Sequence, residues 1–166
     1  MKRLARRTVA RQAVWVLVAG LLTACATPRP PASPGESSWS GRLALTVDST
    51  PLQSFAAGFD LHGTPLAGQL LLTSPLGQTV ASVQWSPGSA EWRQGEQVTR
   101  RATLDQLTTE LVGTALPVAA LFGWLNGEAT PASGWQVDLN RHPEGRVFAR
   151  RTQPLPSAEL RIIFQP

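Results

Sequence analysis

The sequence predicts a mainly β protein of the α+β class, in which two helices cover one side of a single, strongly curved antiparallel sheet. Three observations predict this fold. Short segments that alternate apolar and polar residues come first, two helical segments follow, and further strands end the chain. The strands are sequence neighbours joined by turns, which favours antiparallel hairpins and a barrel-like curvature.

The first 24 residues have the features of a signal peptide. Lys2–Arg11 contains five basic and no acidic residues, and Ala13–Leu22 is an apolar stretch of 10 residues. A helix needs ~20 residues to cross the ~30 Å hydrocarbon layer, so a retained transmembrane helix is disfavoured. Leu22-Thr23-Ala24-Cys25 follows. It resembles a bacterial lipobox, in which the cysteine thiol accepts diacylglyceryl and the new N-terminus is then acylated.

Cys25 is the only cysteine of the chain and stands directly after the apolar stretch. This position favours lipidation over the alternative, an ordinary signal peptide followed by a chance cysteine. The covalent diacylglyceryl and N-acyl groups on Cys25 would form a durable anchor, whereas one acyl chain binds a membrane only marginally. No other cofactor is expected. Ala26 replaces the Asp that signals inner-membrane retention in enteric-type lipoproteins, which points to the outer membrane.

The remaining chain divides into a tether and one domain. Residues 25–38 contain four prolines and no aliphatic residue larger than alanine, which predicts an extended tether. Residues 39–166 suffice for one domain with a sizeable core. Five of the 15 Lys and Arg residues precede Cys25, and without them ten basic residues stand against 11 acidic ones, a formal net charge of −1. Nucleic acid is therefore not an expected partner, because phosphate binding needs a concentrated basic face.

Five strands are expected before the helices, separated by turns at Gly63-Thr64-Pro65, Ser74–Gly77 and Pro87-Gly88. Ser74-Pro75-Leu76-Gly77 has the preferred residues of a type I turn, with Leu76 at its third position. The inward-facing residues should be Trp39, Gly41, Leu43, Leu45 and Val47 in the first strand and Phe55, Ala57, Phe59 and Leu61 in the second. The third strand is expected at Gly68–Thr73 and is rich in leucine. The fourth should direct Thr79, Ala81, Val83 and Trp85 inward, and a short fifth strand is expected at Ala90–Arg93.

Two helices and three strands complete the domain. Thr103 and Gln106 fit a capping box, Leu104, Leu107 and Leu111 share one helix face, and Gly113 suits the end of the helix. Pro117 suits the first position of a second helix that ends at Gly127 and is apolar over a wide arc. The last strands are expected at Trp135–Leu139, Arg146–Arg151 and Glu159–Phe164, with a turn at His142–Gly145.

The combined motifs resemble the LolB family of outer-membrane lipoprotein receptors. The resemblance rests on Trp39-Ser-Gly-Arg-Leu-Ala-Leu, Leu70-Leu-Leu-Thr-Ser-Pro-Leu-Gly77, Leu111-Val-Gly113 with Leu116-Pro117, and Trp124-Leu-Asn-Gly127. It extends from the lipobox to about Gly127 and becomes weak beyond Trp135. It implies an incomplete antiparallel barrel whose helices pack against the concave face and enclose a hydrophobic cavity.

The resemblance also implies a function and its partners. The cavity would receive the acyl chains of other lipoproteins from a soluble, LolA-like periplasmic carrier. The protein, expected to be a monomer, would then insert the lipoproteins into the inner leaflet of the outer membrane. Leu76 corresponds to a loop leucine that touches the membrane in LolB-like proteins.

Apolar residues on the inward faces are the candidate cavity lining. They are Leu43, Leu45, Phe55, Phe59, Leu70, Leu72, Trp85, Leu121 and Trp124. The same residues could fill a closed core, because apolar patterning does not distinguish the wall of a cavity from its filling. A structural or envelope-assembly lipoprotein with a filled core is therefore the alternative function.

Reactive side chains are few. One cysteine and two histidines leave little material for a metal centre, and His62 and His142 are both expected at the surface. A periplasmic hydrolase would have to pair a Ser or Thr with one of these histidines. The sequence contains no Gly-x-Ser-x-Gly, His-Glu-x-x-His or phosphate-loop motif, so neither a metal site nor an enzymatic activity is expected.

Overall fold

A computed structural model of the chain describes residues 36–165. The predicted signal peptide, Cys25 and most of the predicted tether lie outside the described residues. The first strand begins at Ser37, two residues before the predicted domain boundary. Within residues 36–165, no helix is both long enough and apolar enough to span a bilayer.

In the part of the chain that the structure describes, nine strands form one antiparallel sheet in the order β6-β5-β4-β3-β2-β1-β9-β8-β7. β6 and β7 are its two edges and do not pair with each other, so the predicted incomplete barrel with two helices is confirmed. The strands are β1 (Ser37–Val47), β2 (Gln53–Gly63), β3 (Gly68–Thr73), β4 (Thr79–Ser86), β5 (Ser89–Gln94), β6 (Gln97–Arg101), β7 (Trp135–Asp138), β8 (Arg146–Arg151) and β9 (Ala158–Phe164).

The inward faces of the strands follow the predicted alternation, and their buried side chains form the core. Thr79 and Phe55 differ from this expectation, since both are exposed although they were expected to point inward. The register between β3 and β4 shifts at Leu72/Thr73, so that Leu72 pairs with Ala81 and Thr73 with Thr79. This irregularity places one extra residue on β4 and interrupts the period of two at the start of that strand.

The strand β6 was not predicted from the sequence. Four of its five side chains are exposed, so it shows no alternation of buried and exposed residues. Backbone pairing with β5 forms it, from Ala90↔Arg101 to Gln94↔Gln97. A charged and polar edge strand of this kind discourages pairing with other chains.

The first helix, α1 (Leu104–Val112), begins and ends as predicted. The Thr103 hydroxyl accepts a hydrogen bond from the Gln106 backbone N–H at 3.2 Å. Gly113 ends the helix with φ of 72°, a left-handed conformation that favours glycine. Because one face of α1 is buried and the other is exposed, the helix lies on the sheet as an amphipathic cover.

The second helix, α2 (Val118–Leu125), is buried on nearly all sides, and Ala119 is its one exposed side chain. Pro117 was predicted as its first residue, but it precedes the helix with ψ of 56°, and its carbonyl accepts the first helical hydrogen bond from Leu121 N–H at 3.0 Å. Gly127 follows the helix with φ of 83°. The helix therefore lies within the concave side of the sheet.

Candidate functional site

An apolar cavity of about 340 Å³ lies between the concave face of the sheet and the two helices. This volume is within the ~300–1,000 Å³ range of small-molecule sites. Most of its 21 lining residues are apolar and come from β1–β5, β9, both helices and the segment that joins them: Leu43, Leu45, Val47, Phe55, Leu70, Leu72, Val83, Trp85, Trp92, Leu104, Leu107, Leu111, Val112, Leu116, Val118, Leu121 and Leu160.

The polar residues of the lining are few and none of them is charged. Gln53, Ser54 and Gln94 are exposed and lie where β2 begins and β5 ends. The fourth, Thr108, is buried, and its hydroxyl donates to Asp105 O at 3.3 Å and accepts from Leu116 N–H at 3.0 Å. The interior therefore offers an apolar environment, with polar groups at one end of the strands.

Seven of the nine candidate lining residues border this cavity, and Phe59 and Trp124 do not. Trp124 is fully buried, and its indole Nε1 donates a hydrogen bond to Thr130 O at 2.8 Å. Its ring centroid lies 6.5 Å from that of Trp135. Trp124 therefore packs α2 against β7, away from the cavity, while Leu121 of the same helix lines it. Phe59 is buried elsewhere in the core.

Sequence reasoning missed the α1 contribution. Leu104, Leu107 and Leu111 were recognised as one apolar helix face but were not named as candidate lining residues. Trp92 and Leu160 were also missed, although they stand on the inward-facing register of β5 and β9. The signal that could have found them is the continuation of the inward register from Val83, which pairs with Trp92, and from Leu45, which pairs with Leu160.

Aromatic contacts hold α2 above the cavity. The Phe122 ring makes edge contacts with Trp39 and Trp85, with centroid distances of 5.5 and 6.2 Å. Trp85 in turn lies over Gly68, where an added Cβ would come within 2.6 Å of the indole ring. Gly68 is therefore needed for the position of Trp85, and Trp85 both lines the cavity and supports the helix.

His142 holds the other end of α2. Its Nε2 lies 3.0 Å from Leu125 O, and its ring centroid lies 5.4 Å from that of Phe164. The residue was expected at the surface, but it is half-buried in a short 3₁₀ helix, His142–Glu144. His142 therefore links the end of α2 to β9 and has a structural position.

Five lining residues are exposed and mark the opening of the cavity: the polar Gln53, Ser54 and Gln94 and the apolar Phe55 and Leu111. Phe55 and Leu111 both line the cavity and expose 38% and 36% of their surface. Leu76 lies outside the cavity, at the tip of the β3–β4 turn, and is 87% exposed. Gly77 N–H donates to Ser74 O at 2.9 Å, which is the hydrogen bond expected of the predicted turn.

None of the described charged side chains lines the cavity. Glu91 on β5 binds both Arg93 and Arg100 at 2.6 Å, and these hydrogen bonds hold the pKa of its carboxyl below the usual range. Arg151 is buried, and this burial lowers the pKa of its guanidinium. Among residues 36–165, no three His, Cys, Asp or Glu side chains come together as a potential metal site.

Comparison with known proteins supplies the family. Residues 37–154 match the family model described as "Outer membrane lipoprotein LolB". The chain belongs to the LolB family. The match continues past Trp135, beyond which the resemblance was expected to be weak, and ends before β9.

Relatives in the LolB family support the same assignment. The chain is 32% identical over 162 residues to the outer-membrane lipoprotein LolB of Bordetella petrii, and the alignment covers 81% of each chain. It is 29% identical to that of Chromobacterium violaceum, covering 81% of this chain and 77% of the relative. It is 36% identical to that of Thiobacillus denitrificans, covering 73% and 68%.

The residues that carried the resemblance to LolB have distinct structural positions. Trp39 packs on α2 through Phe122. Gly41 pairs with Phe164 of β9, and an added Cβ at Gly41 would lie 2.1 Å from Ile163 O. The Pro75-Leu76-Gly77 segment forms the exposed β3–β4 turn. The LolB motifs thus mark the helix support, the β1–β9 contact and a protruding turn.

Proposed function

We propose that this chain is a lipid-anchored lipoprotein of the outer membrane that accepts other lipoproteins from a periplasmic carrier and inserts them into that membrane. The anchor is the diacylglyceryl and N-acyl modification of Cys25, after removal of residues 1–24, and residues 25–38 tether the domain. Membership in the LolB family supports this function and location.

The observation that carries the proposal is the apolar cavity under α1 and α2. Its lining has no charged residue, and its opening exposes the apolar residues Phe55 and Leu111. An acyl chain of ~16 carbons gains on the order of 12 kcal/mol from burial, at ~0.8 kcal/mol per CH₂. The acyl chain therefore cannot pass through water on its way from the carrier to the membrane. An apolar protein cavity lets it move from one apolar environment to another.

This function requires binding without covalent chemistry. An acyl chain needs only an apolar cavity that competes with the carrier and with the bilayer. The chain would act as a monomer without a metal or a diffusible cofactor, and its partners would be lipoprotein acyl chains, a LolA-like carrier and the inner leaflet of the outer membrane. Leu76 would contact that leaflet, and burial of one leucine contributes only ~2 kcal/mol, enough to orient a tethered domain but not to anchor it.

Transfer of a radiolabelled lipoprotein from a loaded carrier to the domain tests the proposal. Leu72 and Leu71 are neighbours on β3, but Leu72 lines the cavity and Leu71 does not. We expect the wild type and Leu71→Gln to accept cargo, and Leu72→Gln to accept much less while its circular dichroism spectrum stays native. Failure of the wild-type domain to accept any cargo would instead favour a structural lipoprotein.

A further inference from the structure

The dipeptide Pro-Leu occurs four times in the sequence, and each occurrence presents an exposed leucine. The exposed fractions are 64% for Leu52, 75% for Leu66, 87% for Leu76 and 74% for Leu155. Each leucine lies in a connection between neighbouring strands. Because proline restricts the backbone before the leucine, each side chain is held outward at little further cost in conformational entropy.

The strand register places three of these leucines at one end of the sheet. Val47, the last residue of β1, pairs with Ala158, the first residue of β9. The start of the β1–β2 connection therefore lies beside the end of the β8–β9 connection, and Asp48 N–H donates to Ser157 O at 2.9 Å. Thr73 pairs with Gly58, five residues along β2 from Gln53, so the β3–β4 turn points toward the same end but leaves the sheet level with the middle of β2. Leu66 lies in the β2–β3 connection, at the opposite end.

We propose that Leu52, Leu76 and Leu155 form one membrane-contacting surface that seats the domain on a phospholipid bilayer. We call these three residues the leucine surface. The inference rests on the proposed function in placing the domain beside a bilayer. It extends that function by assigning the same contact to Leu52 and Leu155, in two connections that lie outside the sequence motifs on which the family resemblance was based.

The composition of the three connections fits lipid better than protein. Residues 48–52, 74–78 and 152–157 contain one charged residue, Asp48, and no aromatic or arginine residue. Protein interfaces derive most of their affinity from Trp, Tyr and Arg, and leucine is under-represented among such residues. Asp48 accepts a hydrogen bond from the Ser157 hydroxyl at 3.3 Å, within the surface itself. Apolar side chains in a nearly uncharged setting are suited to the boundary between headgroups and acyl chains.

A buried contact supports the position of Leu155. Pro154 and Pro156 flank it, and the Arg151 guanidinium donates a hydrogen bond to Pro156 O at 2.9 Å. Arg151 itself lies over the Trp135 ring, 5.8 Å from its centroid. The connection that carries Leu155 is therefore fastened to the core.

The leucine surface lies at the same end as the polar residues of the cavity lining. Gln53 and Ser54 begin β2 directly after Leu52, and Gln94 ends β5 beside the start of β4. Cargo that leaves the cavity at this end would meet the surface on which the domain is seated. The arrangement therefore links membrane seating to the direction of release.

Fluorescence quenching tests the proposal on the full lipidated chain in phosphatidylethanolamine/phosphatidylglycerol liposomes. Leu52→Cys, Leu155→Cys and the control Leu66→Cys each receive an NBD label, and brominated phospholipids act as the quencher. Leu66 is a matched control because it is an exposed leucine after a proline at the opposite end. We expect quenching at positions 52 and 155 to be at least threefold that at position 66. Equal quenching at all three positions, or none at 52 and 155, overturns the proposal.

Delivery of lipoprotein to the same liposomes distinguishes this inference from the proposed function. We expect Leu52→Glu/Leu155→Glu to slow delivery several-fold while uptake from the carrier stays unchanged, and Leu66→Glu to change neither rate. Normal delivery by the wild type with unquenched labels would refute the leucine surface and leave the function standing. Slower uptake in the double variant would mean that the carrier binds here, and would also refute it. Quenched labels without any delivery would refute the function alone.

Discussion

Replacing Val83 by Phe would distinguish an empty cavity from a filled core. Val83 lies in the centre of β4, pairs with Leu70 and Trp92, and lines the cavity. Phenylalanine suits a strand as well as valine does, so the backbone should tolerate the change. The additional ring atoms would enter the cavity and occupy space that an acyl chain would otherwise fill.

The expected effect on binding follows from the number of methylene groups displaced. A phenyl ring excludes about three or four CH₂ groups, which corresponds to ~2.4–3.2 kcal/mol at ~0.8 kcal/mol each. Since 1.4 kcal/mol is a tenfold change in affinity, the acyl Kd should rise roughly 50- to 200-fold. The free energy of unfolding should change by less than about 1 kcal/mol, whereas overpacking a filled core costs ~1–3 kcal/mol.

The assay combines titration of a fluorescent fatty acid with urea denaturation of residues 36–166. Ala149→Leu is the control, since Ala149 is fully buried on β8 and does not line the cavity. This control should lose ~1–3 kcal/mol of stability through overpacking and keep its affinity for the fatty acid. If Val83→Phe loses as much stability as the control, or binds the fatty acid as the wild type does, the cavity is not the acyl site.

Four further predictions concern other parts of the chain. Mass spectrometry should find Cys25 as the acylated N-terminus, and an unmodified thiol would contradict lipidation. Leu76→Glu should leave stability and uptake nearly unchanged and slow transfer into liposomes; wild-type delivery would make Leu76 an ordinary turn residue. Phe122→Ala should cost about 4 kcal/mol or more, from the cavity left in the core and two lost aromatic contacts, and a calorimetric Tm shift below a few degrees would contradict this. Glu91→Gln should lower the Tm at pH 7, and this difference should shrink as pH falls below 4.5: Arg100 and Arg93 lower the folded-state pKa of Glu91, so its stabilisation is present above the ordinary value of 4.5 and is lost as pH falls through the folded-state pKa. A pH-independent difference would argue against these ion pairs.

Strand patterning was predictable because alternate residues experience alternate environments. Leu45, Leu61 and Leu72 are buried on the inward face, as their register requires. The edge strand β6 was not predictable, because backbone pairing forms it and both of its faces are largely exposed. The alternation of apolar and polar residues also predicted Thr79 wrongly. The register shift between β3 and β4 lies next to Thr79, and it cannot be recognised from the apolar pattern of the sequence.

The residues of the candidate site were predictable only where the face of a strand on which a side chain lies determines whether it borders the cavity. Inward-facing strand residues were assigned to the cavity, and most of them border it. The orientation of α2 was not predictable, because a helix that is apolar nearly all round has no polar face to orient it. Leu121 therefore lines the cavity while Trp124, three residues later, packs against Trp135. The position of α2 over the sheet includes the contacts of Phe122 with Trp39 and Trp85, which join residues far apart in the sequence and are not encoded in any local pattern.

The missing hydrogen bonds between β6 and β7 affect the size of cargo that the domain can hold. A closed barrel has a circumference fixed by its strand number and stagger, so enlarging its interior requires breaking the ladder between strands. In this sheet β6 and β7 are free edges, so no closing ladder between them fixes the width of the interior. Near β6, the ion pair between Arg101 and Glu110 of α1 is a side-chain contact that such an expansion would alter. Cargo with two or three acyl chains could therefore share one site, because the interior adapts in width without any strand leaving the sheet.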